Sequence, residues 1–363
     1  MKIYLENFRS YKEVEFELSP KLTFFVGDNG QGKTNVIEAI YTFFTLGVFR
    51  AKKKDVFIKH GADYAKICLD DLEIFWQLMP NRTVFKKNGT KMPTREFLSK
   101  KDFFAVLFTP DDLNLPFNSP SYRRRLFSRS IGVINPEYFF AQMQFDKVLL
   151  NRNRLLKDEA SEDEFHYWDS EFIRFSGFLT ELRKEFIDFI NQHITEYYAK
   201  LCPQKSQLRV DFLKSSKDIA HDLKENFQKD RIIKTTSKGA HRDDFCFMCG
   251  DKLLQDDSSR GEMRSAILAF KLAERDYINS KTGQMPLLLF DDVFSELDEL
   301  RVRAFLGLIQ DQQAVITTTL YKEGLFNDSE AVFYRLGLSY FRHSFFVVRI
   351  YKGSINSLSK SFH

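Results

Sequence analysis

Near the N-terminus, Gly27-Asp28-Asn29-Gly30-Gln31-Gly32-Lys33-Thr34 fits G-x-x-x-x-G-K-[ST], a spacing suited to holding phosphate. Four fixed positions match by accident in roughly one chain of this length in a hundred at background residue frequencies. Glycines let backbone N–H groups approach phosphate oxygens, and the dipole of a following helix favours the same anion. Lys33 is spaced to reach the β- and γ-phosphates, and Thr34 to ligate Mg²⁺. The complementary acids are Asp291-Asp292, which end the apolar run Leu287-Leu288-Leu289-Phe290 as a Walker B strand does. Asp291 is suited to holding the metal, and Asp292 to orienting or deprotonating the attacking water. These residues together predict a site for a nucleoside triphosphate with Mg²⁺.

Those side chains need a strand, a turn and a helix on the first motif and a buried strand on the second. Leu22-Thr23-Phe24-Phe25-Val26 supplies the strand, and Val36, Ile37, Ile40, Phe43 and Phe44 make an apolar helical stripe after the loop. Short strands are expected at 3–5 and 14–18, then at 65–70, 72–78 and 83–86 with a turn at Asn88-Gly89, forming an antiparallel annex. The pattern changes after Pro110. Tyr138, Ala141, Phe145, Val148 and Leu155 predict a helix from 136 to 157. Phe172, Phe175, Leu179, Leu182, Phe186 and Phe189 predict a second, heptad-like helix over 169–201, enough for an antiparallel pair or arm. The expected fold is therefore α/β: a P-loop head with a β annex, residues 1–109 and 232–363, interrupted by an α-helical arm domain, residues 110–231.

Two further motifs narrow the class. Ser259-Arg260-Gly261-Glu262 reads as an S-x-x-E capping box, with Met263, Ala266, Ile267, Phe270 and Tyr277 as the stripe behind it. Ser295-Glu296-Leu297-Asp298 follows the acids closely. With both phosphate-site motifs, this set resembles the signature helix and its partner loop in the ABC ATPase superfamily. There the signature serine and glycine meet the γ-phosphate held by a second protomer, so ATP would be buried between two copies of the chain.

Asn7-Phe8-Arg9-Ser10-Tyr11, the loop Gly27-Asp28-Asn29-Gly30-Gln31-Gly32-Lys33-Thr34-Asn35, Thr109-Pro110-Asp111-Asp112-Leu113 before Arg123-Arg124-Arg125, Gly239-Ala240-His241-Arg242-Asp243-Asp244 and Asp291-Asp292-Val293-Phe294-Ser295-Glu296-Leu297-Asp298 occur in one order along the chain. That order resembles the bacterial RecF family, SMC-like ABC ATPases without a long coiled coil. The resemblance implies an ABC-type ATPase head, ATP-dependent homodimerisation, binding to gapped or junction DNA and weak, slow ATP hydrolysis. It also implies work with RecO and RecR in loading RecA, and with it recombinational repair, replication restart and SOS induction. It assigns Gly27, Asp28, Asn29, Gly30, Gln31, Gly32, Lys33, Thr34 and Asn35 to the nucleotide and its metal, with Arg9 nearby. Asp291 falls to Mg²⁺, Asp292 and Lys33 to hydrolysis, and Ser259 and Gly261 to the partner's ATP. Three departures stand out: Glu262 where the family signature usually has Gln, Ser128 where an acid often follows the arginine cluster, and Thr317-Thr318-Thr319 where transporter ATPases carry a switch histidine.

A formal net charge of only +4 with 29% charged residues requires any DNA contact to come from local patches. Lys52, Lys53 and Lys54 with Arg50, Arg123, Arg124 and Arg125, and Arg152 with Arg154 are the candidates. No base-reading motif is present, which favours shape or junction recognition. The first residues lack the apolar run of an export signal and no run reaches the roughly 20 residues that span a bilayer, so a cytoplasmic protein with no membrane partner is expected. Four cysteines suit reduced thiols. Cys246 and Cys249 lie three apart on an expected strand and so face opposite ways, which suits structural cysteines better than a zinc pair. The competing readings are a transporter ATPase subunit, which the missing switch histidine and the helical insertion disfavour, and a small-metabolite kinase, which has no need of the Ser-Glu-Leu-Asp loop.

Overall fold

A computed structural model describes residues 1–45, 57–99, 104–203, 207–295, 297–319, 331–339 and 344–350. The strands are β1 (Lys2–Phe8), β2 (Tyr11–Glu17), β3 (Leu22–Val26), β4 (Tyr64–Leu69), β5 (Leu72–Gln77), β6 (Arg82–Lys87), β7 (Thr90–Met92), β8 (Ala105–Phe108), β9 (Leu208–Leu213), β10 (Asp244–Cys249), β11 (Lys252–Leu253), β12 (Leu287–Phe290), β13 (Ala314–Thr318), β14 (Val332–Ser339) and β15 (Ser344–Ile350). The helices are α1 (Lys33–Thr45), α2 (Thr94–Ser99), α3 (Pro120–Ile134), α4 (Pro136–Lys157), α5 (His166–Leu201), α6 (Ile219–Glu225), α7 (Phe227–Ile233), α8 (Leu254–Asp257), α9 (Arg260–Thr282) and α10 (Glu299–Ile309).

The chain forms two compact units, 1–112 with 278–363, and 113–277. In the first, one sheet runs β2-β1-β4-β5-β6-β7 and is antiparallel throughout, which is the predicted annex. The other runs β15-β14-β3-β13-β12-β8, and its β14, β3, β13, β12 and β8 are mutually parallel. Parallel strands covered on both faces read as unbroken apolar runs, and β12 and β13 are buried at every position. The annex strands instead alternate, with Ile67 and Ile74 inward and Lys66 and Glu73 outward. One apolar core joins Ile3, Leu5 and Ile67 from the annex, Val36, Ile37 and Ile40 from α1, and Leu107, Leu289 and Val315 from the parallel sheet. Both faces of α1 are thereby used, which places its N-terminal turn at the ends of β3, β12 and β13.

In the second unit α4 packs on α5, with the Phe145 and Phe172 ring centroids 5.0 Å apart. Helix α4 has the predicted bounds, and α5 starts three residues before the expected 169. Its buried face differs from the heptad reading. Phe172, Leu179 and Phe186 are buried as expected, but Ser176, Arg183 and Ile190 complete the stripe, while Phe175, Leu182 and Phe189 are only half-buried. A buried arginine counts as polar in a hydrophobicity pattern, so the helix is rotated slightly from the face that apolar residues alone indicate.

The units also divide differently from the expected boundary at 231/232. Strand β10 pairs with β9 from Asp244↔Leu213 to Cys249↔Leu208, and a hairpin to β11 completes an antiparallel three-stranded sheet. Phe127 of α3 stacks on Phe245 of β10 at 3.9 Å between centroids, and Phe270 of α9 packs on both Phe127 and Phe247. These contacts group residues 232–277 with the helical segment, and the division falls within α9. The cysteines are all free thiols, and Cys246 and Cys249 lie on β10 as expected.

Candidate functional site

The glycine loop leaves β3 at Val26 and enters α1 at Lys33, as the motif requires. Gly30 and Gly32 take φ of +82° and +87°, a region that favours glycine. At Gly32 a Cβ would also meet the Ser10 Oγ and Tyr11 Oη at 3.0 Å. Lys33 is buried, and its Nζ donates to the carbonyls of Gly27 at 2.6 Å and Asp28 at 2.8 Å. Burial lowers the Lys33 pKa below the usual lysine range, opposed by the nearby charges of Asp292, Asp291 and Asp28. Thr34 Oγ1 lies 2.9 Å from both carboxylate oxygens of Asp291, joining residues 257 positions apart. Hydroxyl and carboxylate oxygens at a strand end, close to a lysine, form a hard oxygen donor set that fits Mg²⁺.

Asp291 and Asp292 follow β12 directly. Asp291 is buried, with its N–H donating to the Phe108 carbonyl at 2.9 Å. Asp292 has φ +49°, a strained region for a non-glycine residue that turns the chain sharply off the strand. Thr317 of β13 bridges the pair: its Oγ1 donates to Asp291 Oδ1 at 2.7 Å and accepts the Asp292 N–H at 2.9 Å. The sequence marks Thr317 only as part of the threonine run that stands where transporter ATPases carry a switch histidine; its contact with both acids comes from β12–β13 registry, in which Phe290 pairs with Ile316.

The Asn7-Phe8-Arg9-Ser10-Tyr11 turn supports the loop from the annex side. Asn7 and Arg9 have φ of +48° and +53°. Tyr11 Oη donates to the Gly32 carbonyl at 3.2 Å, and Asn35 Nδ2 donates to Ser10 Oγ at 2.8 Å. Arg9 makes a two-pronged ion pair with Glu38 of α1, at 2.8 and 2.7 Å, and its guanidinium lies 5.7 Å from the Phe57 ring centroid. Glu38 is buried and was not among the predicted residues. Its one signal in the sequence is an acid inside the apolar stripe of α1.

In the second unit the capping box is present. Ser259 N–H donates to Glu262 Oε2 at 2.7 Å, and Glu262 N–H to Ser259 Oγ at 3.3 Å. Glu262 thus has a structural partner at the N-terminus of α9, where a negative charge is favoured. Met263, Ala266, Ile267, Phe270 and Tyr277 are all buried, as the stripe predicts. Asp298 caps α10, accepting the Arg301 N–H at 2.9 Å, whereas Glu296 lies outside the described residues.

The basic candidates separate. Lys52, Lys53 and Lys54, with Arg50, lie outside the described residues. Arg123 is held in a two-pronged pair with Asp244 at 2.8 and 2.6 Å and also donates to the carbonyls of Pro116 and Asn118. Arg124 donates to the Asp243 carbonyl at 2.8 Å. Arg152 has no exposure and is tied to Asp169 at 2.7 Å, Asp230 at 3.1 Å and Thr236 Oγ1 at 2.7 Å. Arg152 is thereby withdrawn into the interior of its unit, whereas Arg123 and Arg124 are half-buried and have partners within theirs. Arg125 is exposed, as is Arg154, which pairs with Asp158 at 3.5 Å. At the Ser128 departure, the hydroxyl contacts Tyr138 Oη at 2.9 Å.

A P-loop at the end of a strand of a parallel sheet, two acids ending a strand two places along that sheet and an antiparallel annex define an ABC-type ATPase head, and a second, largely helical unit accompanies it. The model of the RecF/RecN/SMC N-terminal domain family matches residues 1–336. The DNA replication and repair protein RecF of Clostridium novyi is 32% identical over 329 residues, covering 87% of this chain and 91% of that protein. Two solved structures share the fold. The recombination mediator protein RecF-ATP in the RecFOR pathway superposes with a TM-score of 0.82 at 26% identity, covering 96% of each chain. The RecF-ATPrS form gives 0.81 at 27% identity, covering 93% of this chain and 95% of the other. The chain belongs to the RecF family of SMC-type ATPases. Among the described residues, no helix is long and apolar enough to cross a membrane.

Proposed function

We propose that this chain is an ATP-driven DNA-binding switch of recombinational repair and replication restart. The observation that carries the reading is the meeting of Thr34 with Asp291 beside Lys33, which a turn joining strand to helix does not require. Relatives that match most of the chain are named as DNA replication and repair proteins, and the similar solved structures are of nucleotide-bound RecF.

In this reading Gly27, Asp28, Asn29, Gly30, Gln31, Gly32 and Asn35 cradle the triphosphate of ATP, with Lys33 countering charge on the β- and γ-phosphates. Thr34 and Asp291 hold Mg²⁺, which when bound neutralises developing phosphate charge. Asp292 orients and deprotonates the attacking water. Arg9 acts through Glu38, holding the annex turn against α1. Ser259 and Gly261 act on the nucleotide of a second copy, with the α9 N-terminus supplying partial positive charge. ATP binding then drives homodimerisation on gapped or junction DNA, and slow, DNA-dependent hydrolysis releases it. Contacts to DNA fall to Arg125 and to Lys52, Lys53 and Lys54. The partners are RecO, RecR and RecA, the outcomes RecA loading and SOS induction, and the compartment the cytoplasm.

Sedimentation tests this directly. Mg²⁺ and ATP convert monomer to dimer in the parent protein, and neither Lys33→Met nor Ser259→Arg dimerises. If six phosphates are neutralised on gapped DNA, log K falls with log salt at a slope of about −5. A parent protein that stays monomeric at saturating ATP and DNA overturns the shared-site mechanism.

A further inference from the structure

The proposed Mg²⁺–nucleotide site has a third participant on a strand that carries neither phosphate-site motif. We infer that Thr317 is a positioning residue that sets the geometry of both acids, fixing the Asp291 carboxylate and the Asp292 backbone with one hydroxyl. This inference rests on the Mg²⁺–nucleotide reading of the site.

Thr317 has no exposure and sits near the end of β13, paired with Phe25 of β3. A hydroxyl carries one proton, and the Asp292 N–H can only donate, so the bond at 2.9 Å uses a lone pair on Thr317 Oγ1. The hydroxyl proton is then directed to Asp291 Oδ1 at 2.7 Å. Asp291 Oδ1 thus lies within hydrogen-bond reach of two threonine hydroxyls, Thr34 from α1 and Thr317 from β13. Those two elements grip one carboxylate from different sides and restrict its rotation. The bond to the Asp292 N–H acts on the next residue, at the point where the backbone enters φ +49° and leaves the strand. One side chain therefore couples the orientation of the metal-holding acid to the direction in which the water-activating acid projects.

Burial alone does not produce this arrangement. Thr23, equally buried in the adjacent β3, uses its hydroxyl to accept the Ser19 N–H at 2.8 Å and touches neither acid. Thr23→Val is therefore a matched control for loss of a buried threonine hydroxyl.

The test compares Thr317→Val, Thr317→Ser and Thr23→Val in the full chain. Each is measured for ATP hydrolysis, for nucleotide binding titrated with Mg²⁺ and in EDTA, and for thermal unfolding. For Thr317→Val, kcat falls about 10–100-fold and the Mg²⁺ concentration for half-maximal binding rises about 10-fold, the range for groups that orient a metal ligand. Binding in EDTA stays at the parent value. Thr317→Ser, which keeps the hydroxyl, returns both quantities to within about 3-fold of the parent, less than half the tenfold step that 1.4 kcal/mol represents. Thr23→Val lowers the unfolding temperature without moving the Mg²⁺ midpoint. The inference is overturned if folded Thr317→Val keeps the parent's kcat and Mg²⁺ midpoint, if Thr317→Ser is as defective as Thr317→Val, or if Thr23→Val shifts the Mg²⁺ midpoint equally. A parent protein whose nucleotide binding ignores Mg²⁺ overturns the site reading itself, and the inference with it. That outcome appears in the unmutated chain and is thereby distinct from the other three.

Discussion

In the nucleotide-site unit Lys33 donates to backbone carbonyls and Asp291 accepts from threonine hydroxyls, with the charges of Asp292, Asp291 and Asp28 acting on the lysine. In the arm unit the buried arginines close on acids: Arg152 on Asp230 and Asp169, and Arg183 on Asp243 at 3.3 Å. Both arrangements satisfy buried polar atoms, but they leave different electrostatics. Lys33 and Asp291 are hydrogen-bonded through neutral groups and lie within each other's field, which gathers charges of both signs at the loop. An arginine facing acids has its charge spent inside the unit and holds helices in place. The contrast shows that a basic residue in a sequence is a DNA-contact candidate only after its internal partners are known.

The largest effect expected from this contrast is on ligand chemistry. Asp291→Asn removes the charge proposed to hold Mg²⁺, so ATP hydrolysis should fall at least about 100-fold. Its stability should change less than that of an arm-charge variant, as a urea titration would measure. Near-parent hydrolysis in Asp291→Asn would break the comparison on the nucleotide side.

Next in size is the arm. Arg152→Met strands the fully buried Asp230 and should destabilise the protein by about 3–5 kcal/mol, read from the urea midpoint. Nucleotide affinity per folded molecule should stay unchanged. A stable Arg152→Met that selectively loses DNA affinity would return this residue to the set of phosphate contacts.

The smallest effect concerns pH. Burial pushes the His241 pKa down to about 4, opposed by the bond to the Thr236 carbonyl and reinforced by the charges of Arg242, Arg124 and Arg152. The unfolded chain, with histidine near its usual 6.5, takes up the proton first as pH falls. The contribution is therefore fully present above about pH 6.5 and is lost progressively as pH falls to about 4, where the folded state also protonates. Urea midpoints across that window should flatten in His241→Asn relative to the parent. An equal slope in both proteins would place the pH dependence elsewhere.

Much of the nucleotide site was legible before the structure because its motifs are local. The glycine loop, the strand before it, the acids ending β12 and the capping box on α9 each depend on neighbours within a few residues. The rest depended on groups whose partners lie far away in the chain. Helix α3 went unread, although Ser119-Pro120 is a start signal: its Ser119 Oγ accepts the Tyr122 N–H at 3.4 Å. Strand β9 also escaped, because its pairing with β10 spans the intervening α6 and α7.

The sequence by itself determined a phosphate-holding loop and a strand ending in paired acids, because phosphate and metal chemistry constrain residue types at short spacings, and the order of its motifs carried the resemblance to the RecF family. Only the tertiary structure decided which arginines are withdrawn into the arm, how Arg9 reaches Glu38, and that Thr317 spans both acids. Those outcomes depend on strand registry and on the desolvation of charge, which arise when distant segments are buried together and leave no local pattern in the chain.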